Sequence, residues 1–261
     1  MRIAVLASHE GTTLQAIIDA FPSSIIAVIC NNADAGALAR ARAAGIPPYY
    51  LSSRTHPDPD ALDAAIEATL VASGTEVVVL AGYMRKIGPR MLRTFPGRLL
   101  NTHPALLPKF GGRGMYGMHV HRAVLASGDA VTGASVHWVD AEYDTGAVID
   151  RREVPVAAGD NTPETLAARV QVVERALLVD VLARLARGEI RPPYESLTTA
   201  TPRAQRTDAD QRAVNDHSRR SPRWQPTASF SSTSRKSSTS STATSRSSHA
   251  PSSRAGTGHS R

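Results

Sequence analysis

Cysteine is almost missing from this chain: Cys30 is the only one among 261 residues. An internal disulfide is excluded, and a reducing, cytoplasmic location is expected. No stretch is long and apolar enough to span a bilayer, so no membrane role is expected. The opening Met1-Arg2-Ile3-Ala4-Val5-Leu6-Ala7-Ser8 has too short an apolar run for a signal peptide and reads as a first strand. A GxGxxG dinucleotide fingerprint is also lacking.

The formal net charge of +7 is unevenly placed. Residues 200–261 hold 11 Lys+Arg against 3 Asp+Glu, which leaves 19 against 20 for residues 1–199. The basic character therefore belongs to the end of the chain and says little about partners of the rest. Residues 227–261 are dominated by Ser, Thr and Arg. They lack the apolar content for a core, and 191–261 is expected to be a disordered tail. Specific nucleic-acid binding is not expected of it: only Trp224 and Phe230 interleave the basic residues, and no nucleic-acid motif is present.

Ahead of the tail, strand and helix patterns alternate. Apolar runs at 3–7, 25–30, 47–51, 76–81 and 98–100 read as buried strands. Helical spacing separates them: Leu14, Ile17, Ile18 and Phe21; residues 37–44 closed by Gly45; Leu62, Ile66 and Leu70 closed by Ser73-Gly74; and a short 88–94. A helix at 119–127 precedes strands at 132–139 and 147–156, whose short connection predicts an antiparallel hairpin. A long helix over 162–186 carries Leu166, Val170, Val173, Leu177, Val181 and Leu185 on one stripe. The expected fold is α/β: a doubly wound, mostly parallel sheet of about seven strands, with a C-terminal antiparallel hairpin and a long C-terminal helix, in one domain over 1–190.

Chemistry gathers at strand ends. In the stretch Leu99-Leu100-Asn101-Thr102-His103-Pro104, an amide and an imidazole stand two apart on extended chain and so point the same way. Beyond the carboxyl end of a strand, where open α/β sheets bind ligands, such a pair can polarise a carbonyl and handle a proton. A capping Asn beside a hydrogen-bonded His is the plain alternative, and the stretch alone does not decide. Ser8-His9-Glu10-Gly11-Thr12-Thr13 links a strand to a helix N-terminus and suits an anion, although a simple turn with a Thr cap fits as well and Glu10 opposes an anion unless it turns away. Gly82-Tyr83-Met84-Arg85-Lys86-Ile87 offers a flat apolar wall or core under a loop. The Gly-rich 109–119 is a long irregular loop. Asp140-Ala141-Glu142-Tyr143-Asp144 is acidic, without the spacing of a calcium loop. His137, within a strand, reads as an ordinary hydrogen-bonded histidine. Gln171 and Glu174 share a helix face.

Taken together, 1–190 resembles the folate-dependent formyltransferases, specifically the glycinamide ribonucleotide formyltransferase group. The resemblance rests on Ser8…Gly11-Thr12-Thr13-Leu14-Gln15, LAGYMR at 80–85, GRLLNTHPALLP at 97–108, HVHRAV at 119–124, TGASVHWV at 132–139 and DAEYDTGAVI at 140–149. It implies formyl transfer from 10-formyltetrahydrofolate to the amino group of glycinamide ribonucleotide in purine (IMP) biosynthesis, with no metal, by a monomer or homodimer. It implies a catalytic trio of Asn101, His103 and Asp144, in which Asn101 and His103 donate to the developing oxyanion and Asp144 holds the charged form of His103. The ribonucleotide would be held by Gly11, Thr12, Thr13, Gln171 and Glu174. The folate would lie against Tyr83, Met84, Arg85, Ile87, Asn101, Asp140 and Asp144. The N-terminal half would then bind nucleotide and the C-terminal half folate.

Three departures accompany the resemblance. His9 stands where Gly is common and Glu10 adds a negative charge to the first loop. The 109–119 loop is longer than in the shortest members. No basic residue directly precedes the third helix, where His56-Pro57-Asp58-Pro59-Asp60 stands and only Arg54 is near. Two relatives in chemistry fit less well. A methionyl-tRNA formyltransferase needs a folded basic carboxyl domain, and a formyltetrahydrofolate hydrolase an added domain before the first strand. A folate- or nucleotide-binding protein without turnover is the alternative from another class.

Overall fold

The computed structural model describes residues 1–160, 162–191 and 193. The expected tail, apart from Arg191 and Pro193, lies outside the described residues. Seven strands, β1 (Ile3–Ala7), β2 (Ile25–Cys30), β3 (Pro48–Tyr50), β4 (Val77–Leu80), β5 (Leu99–His103), β6 (Val131–Trp138) and β7 (Val148–Pro155), form one sheet in the order β3-β2-β1-β4-β5-β6-β7. Pairing is parallel from β3 through β5 and antiparallel for β5–β6 and β6–β7. The expected hairpin is present. The antiparallel pairing of β5 with β6 extends that region by one strand beyond the sequence reading.

The helices are α1 (Thr12–Ala20), α2 (Gly36–Ala43), α3 (Pro59–Ala72), α4 (Pro89–Thr94), α5 (Met118–Ser127) and α6 (Pro163–Ala186). Alternation along the strands divides the core in two. Ile3, Val5, Ala7, Val28 and Val79 face α1, α2, α5 and α6 through Leu14, Leu38, Val124 and Leu177. Ala4, Leu6, Ile29, Val78 and Leu80 face α3 and α4 through Ile66, Leu70, Met91 and Phe95. Helices therefore cover both faces, as continuous apolar strands require. Each fully buried Leu or Ile adds about 1.5–3 kcal/mol.

Local chemistry sets the helix ends. Asp58 Oδ1 accepts from Asp60 N–H at 3.2 Å, and Pro59 occupies the first turn of α3. Thr162 and Thr165 cap each other reciprocally at the start of α6. Four helices, α1, α2, α4 and α5, start without a side-chain cap of their own and without an acidic residue in the first turn; at α1 the cap residue, Gly11, is left-handed (φ 71°). Between β1 and β4 the chain winds to opposite sides of the sheet, the position at which doubly wound sheets open a ligand crevice.

Candidate active site

The loops at the carboxyl ends of β1, β4 and β5 enclose a cavity of about 620 Å³, with α6 and the 143–144 segment completing its wall. Asn101 and His103 stand two apart in β5, on one face, at its floor. Asp144 reaches the same point from the loop before β7. Its Oδ1 lies 3.5 Å from Asn101 Nδ2, and its Oδ2 lies 3.5 Å from His103 Nδ1. The Asp144 side chain is 9% exposed. Amide, imidazole and carboxylate thus converge from two separate segments.

The long loop after β5 fixes this trio, a role the sequence reading did not assign to it. His103 Nε2 donates to the carbonyl of Phe110 at 2.7 Å, and Gly112 N–H donates to Asp144 Oδ2 at 3.0 Å. Phe110 (φ 56°) and Asp144 (φ 58°) are the only non-glycine residues with left-handed backbone among the described residues. Such strain costs about 1–3 kcal/mol each and gathers where function over-determines the backbone.

Burial pushes the His103 imidazole below its ordinary value, against the opposing pull of Asp144 and the Phe110 carbonyl. Burial thus favours the neutral ring in the free protein, and Asp144 favours the charged one. With its proton on Nε2 for Phe110, Nδ1 is left as an acceptor. Asp144 is held below the usual carboxylate range: burial opposes this, but the imidazole of His137 3.5 Å from its Oδ1, the nearby His103 and the Gly112 N–H outweigh it together.

His137, read from sequence as an ordinary strand histidine, belongs to the constellation. The register of β5 on β6 sets Asn101 opposite His137 and His103 opposite Ser135. His137 Nδ1 donates to the Trp138 carbonyl at 2.8 Å, so its Nε2 accepts from Asn101 Nδ2 at 3.1 Å. That tautomer orients the Asn101 amide with its donors toward Asp144 and the cavity. His121 of α5 also lines the cavity; it is buried, its Nδ1 has no partner among the described residues, and burial followed by the proximity of His103 lowers its pKa. The signal for both lay in strand pairing and helix docking, not in local spacing.

The first loop resolves against a Thr cap. Gly11 is the cap residue and Thr12 and Thr13 are in the first turn, so their N–H groups are free to meet an anion. Glu10 turns its carboxyl toward the start of α2: a Cβ at Gly36 would lie 2.5 Å from Glu10 Oε2. The dipole of α2 favours a carboxylate there. The Glu10 carbonyl accepts from Arg40 Nε at 2.8 Å, which pins the loop. Met84 N–H donates to Ser8 Oγ at 2.8 Å and ties this loop to the one after β4.

Gly11, Thr12, Thr13, Tyr83, Met84, Arg85, Gln171 and Glu174 all line the cavity with the trio. Glu174 is half-buried; desolvation raises its pKa, and a hydrogen bond from Thr102 opposes that. Burial of the Tyr83 phenol pushes its pKa up to about 12, so it stays protonated. Two expected residues stand apart. Ile87 is buried in the core beneath the loop. Asp140 accepts from Glu142 N–H at 3.1 Å and from the Thr145 hydroxyl at 2.8 Å, and so shapes its own loop. Among the described residues no group of three or more His, Cys, Asp or Glu is arranged to hold a metal ion, and no helix is long and apolar enough to cross a membrane.

A family model described as formyl transferase matches residues 1–182. The chain belongs to the formyl transferase family. Over 189 residues it is 43% identical to the phosphoribosylglycinamide formyltransferase of Mycobacterium tuberculosis, covering 71% of this chain and 85% of that protein. Over 196 residues it is 42% identical to the protein of the same name from Escherichia coli, covering 73% of this chain and 90% of that protein. Among solved structures, glycinamide ribonucleotide transformylase 1 from Symbiobacterium toebii matches with a TM-score of 0.67 and 39% identity, covering 72% of this chain and 88% of that one. In this formyl transferase the cavity lies at the carboxyl edge of the sheet.

Proposed function

We propose that the chain transfers a formyl group from 10-formyltetrahydrofolate to the amino group of glycinamide ribonucleotide, with the formylated ribonucleotide and tetrahydrofolate as products. The observation that carries this reading is the convergence of Asn101, His103 and Asp144 at the floor of a cavity whose far wall is an uncapped helix N-terminus.

The ribonucleotide phosphate sits on the Gly11–Thr13 N–H groups, and Gln171 and Glu174 meet its ribose side. The folate ring lies along Tyr83, Met84 and Arg85, against the 140–144 backbone. The substrate amine attacks the formyl carbon, and the carbonyl oxygen gains negative charge. Asn101 Nδ2 donates to that oxygen. His103 Nδ1 takes the proton the amine releases. The imidazolium so formed is stabilised by Asp144 and becomes a second donor. The same proton then passes to the folate nitrogen as its bond to the formyl carbon breaks. A neutral His103 in the free protein suits this role better than the charged form, because a base must arrive without its proton.

A coupled assay of the purified protein with both substrates tests the reading. Turnover that requires the ribonucleotide is expected. Formate release without the ribonucleotide would make the protein a hydrolase, and binding of both substrates without turnover would make it a binding protein.

A further inference from the structure

Residues 81–88 run from the end of β4 to the start of α4 without helix or strand. They carry Tyr83, Met84 and Arg85, the cavity wall given above to the folate ring. We propose that Asp63, a buried residue of α3 outside the cavity lining, is a positioning residue for the co-substrate: its carboxylate holds the far end of this segment and so sets where the wall stands. The inference rests on the folate placement given above.

The segment is fixed at few points. At its near end Ala81 N–H donates to the Leu6 carbonyl at 2.9 Å. In the middle Met84 N–H donates to Ser8 Oγ at 2.8 Å. At the far end Arg90 N–H donates to Asp63 Oδ2 at 2.8 Å. Gly88, the cap residue of α4, has no side chain for that task. The Asp63 carboxyl fills the space instead: a Cβ on Gly88 would lie 2.1 Å from Asp63 Cγ. A carboxylate suits the first N–H groups of a helix, but here it comes from a neighbouring helix. The wall segment is thereby tied to α3, which the core holds through Ile66 and Leu70.

Stability alone does not account for Asp63. Its Oδ1 is buried without a hydrogen-bond donor among the described residues, and an acceptor left so is costly. One turn on, Glu67 already fastens α3 to α4. It accepts from the Thr94 hydroxyl, and its Oε2 lies 3.9 Å from Arg90 Nη1. Those contacts go to side chains of α4. Asp63 holds backbone, at the point where the wall segment joins the helix. It also stands within electrostatic reach of the wall: burial does most to push the Tyr83 phenol up to about 12, and Asp63 adds to it in smaller measure. A wall set in place beforehand spares the ordering cost that binding would otherwise bear.

Steady-state kinetics on the full chain, with each substrate varied in turn, tests the proposal. Asp63→Ala should raise KM for 10-formyltetrahydrofolate about tenfold and leave kcat and the ribonucleotide KM within about twofold. Asp63→Asn keeps an acceptor for the Arg90 N–H and should bring the folate KM back to within about threefold of wild type. Gly88→Ala drives the carboxyl aside from the other direction and should match Asp63→Ala. The double variant should be no worse than either, because both act on one contact. Gly88→Ala also decides the case if Asp63→Ala does not fold. Glu67→Gln is the control: its unfolding midpoint should fall while both KM values hold. A folate KM unchanged in Asp63→Ala and Gly88→Ala would overturn the proposal, as would a parallel rise in both KM values or the same selective rise in Glu67→Gln. Each of these is read against a wild type that turns over; a wild type without turnover would remove the function reading, and this inference with it.

Discussion

In the parallel half of the sheet, β1 and β4 end in loops that turn backbone N–H groups and a flat apolar wall toward the cavity. In the antiparallel half, β5 and β6 place polar side chains there from within the strands themselves, Asn101 opposite His137 and His103 opposite Ser135. The difference follows from geometry. Parallel strands all release their loops at one edge, where a helix N-terminus is ready for an anion. Antiparallel strands bring facing residues to within about 4.5–5.5 Å on one face, close enough for a hydrogen-bonded cluster. One half is suited to holding a substrate and the other to changing it.

The sharpest way to break that division is at the trio. His103→Ala and Asp144→Asn, assayed with both substrates saturating, should each lower kcat by ~100- to 1000-fold, the loss typical of one transition-state donor. Circular dichroism and the unfolding midpoint should confirm a folded protein. A variant that keeps full turnover would remove the mechanism. Gly11→Ala strikes the other half. Its backbone is left-handed, and a Cβ there would lie 2.8 Å from Ala37 Cα. KM for the ribonucleotide should rise by about tenfold, equivalent to ~1.4 kcal/mol, and stability should fall by about 1–3 kcal/mol, while kcat at saturation changes little. An equal loss of kcat in Gly11→Ala would erase the contrast between holding and reacting.

His137→Ala tests the boundary of the reacting half. Without the Nε2 acceptor, the Asn101 amide loses the contact that sets its orientation. A fall in kcat of about tenfold with KM unchanged is expected, and the double variant with Asn101→Ala should lose no more than Asn101→Ala alone, because residues of one network do not add. Additive losses would show that the histidine acts elsewhere.

The parallel half was the more legible from sequence. Buried strands such as 25–30 and 76–81 announce themselves as continuous apolar runs. Asn101, His103 and Asp144 were also legible, because two mark a strand end and the third sits in a loop of the matching motif. His137 and His121 were not. Whether a strand histidine meets an active-site amide depends on register, which the chain sets only after β5 and β6 have paired. The 109–119 loop was recognised as irregular, but its grip on the trio is made through the Phe110 carbonyl and the Gly112 N–H. Backbone groups carry no residue signature, so spacing cannot disclose them. Glu10 was misleading for a related reason: its charge opposes an anion, but the start of α2 draws the carboxyl aside.

The smallest effect concerns stability against pH, where the titrating groups of the cavity oppose one another. His103 and His121 have folded values below the usual ~6.5. As the pH falls through that value, the unfolded chain takes up protons before the folded one does, so stability declines until the folded rings also protonate. Asp144, lowered as well, acts in the same direction at more acid pH: its contribution is complete above about 3.9 and is lost as the pH falls through its folded value. Glu174 is raised. It contributes most at low pH and loses that contribution as the pH rises above about 4.3 through its folded value, so it partly offsets the histidines on acidification. Unfolding midpoints recorded from pH 7.5 downward should therefore fall, less steeply in His121→Asn and His103→Asn, and more steeply in Glu174→Gln. The opposite ordering would mean that the cavity histidines are not held neutral by burial. The proton-acceptor role assigned to His103 would lose its basis, while the contrast between the two halves of the sheet, which rests on geometry alone, would stand.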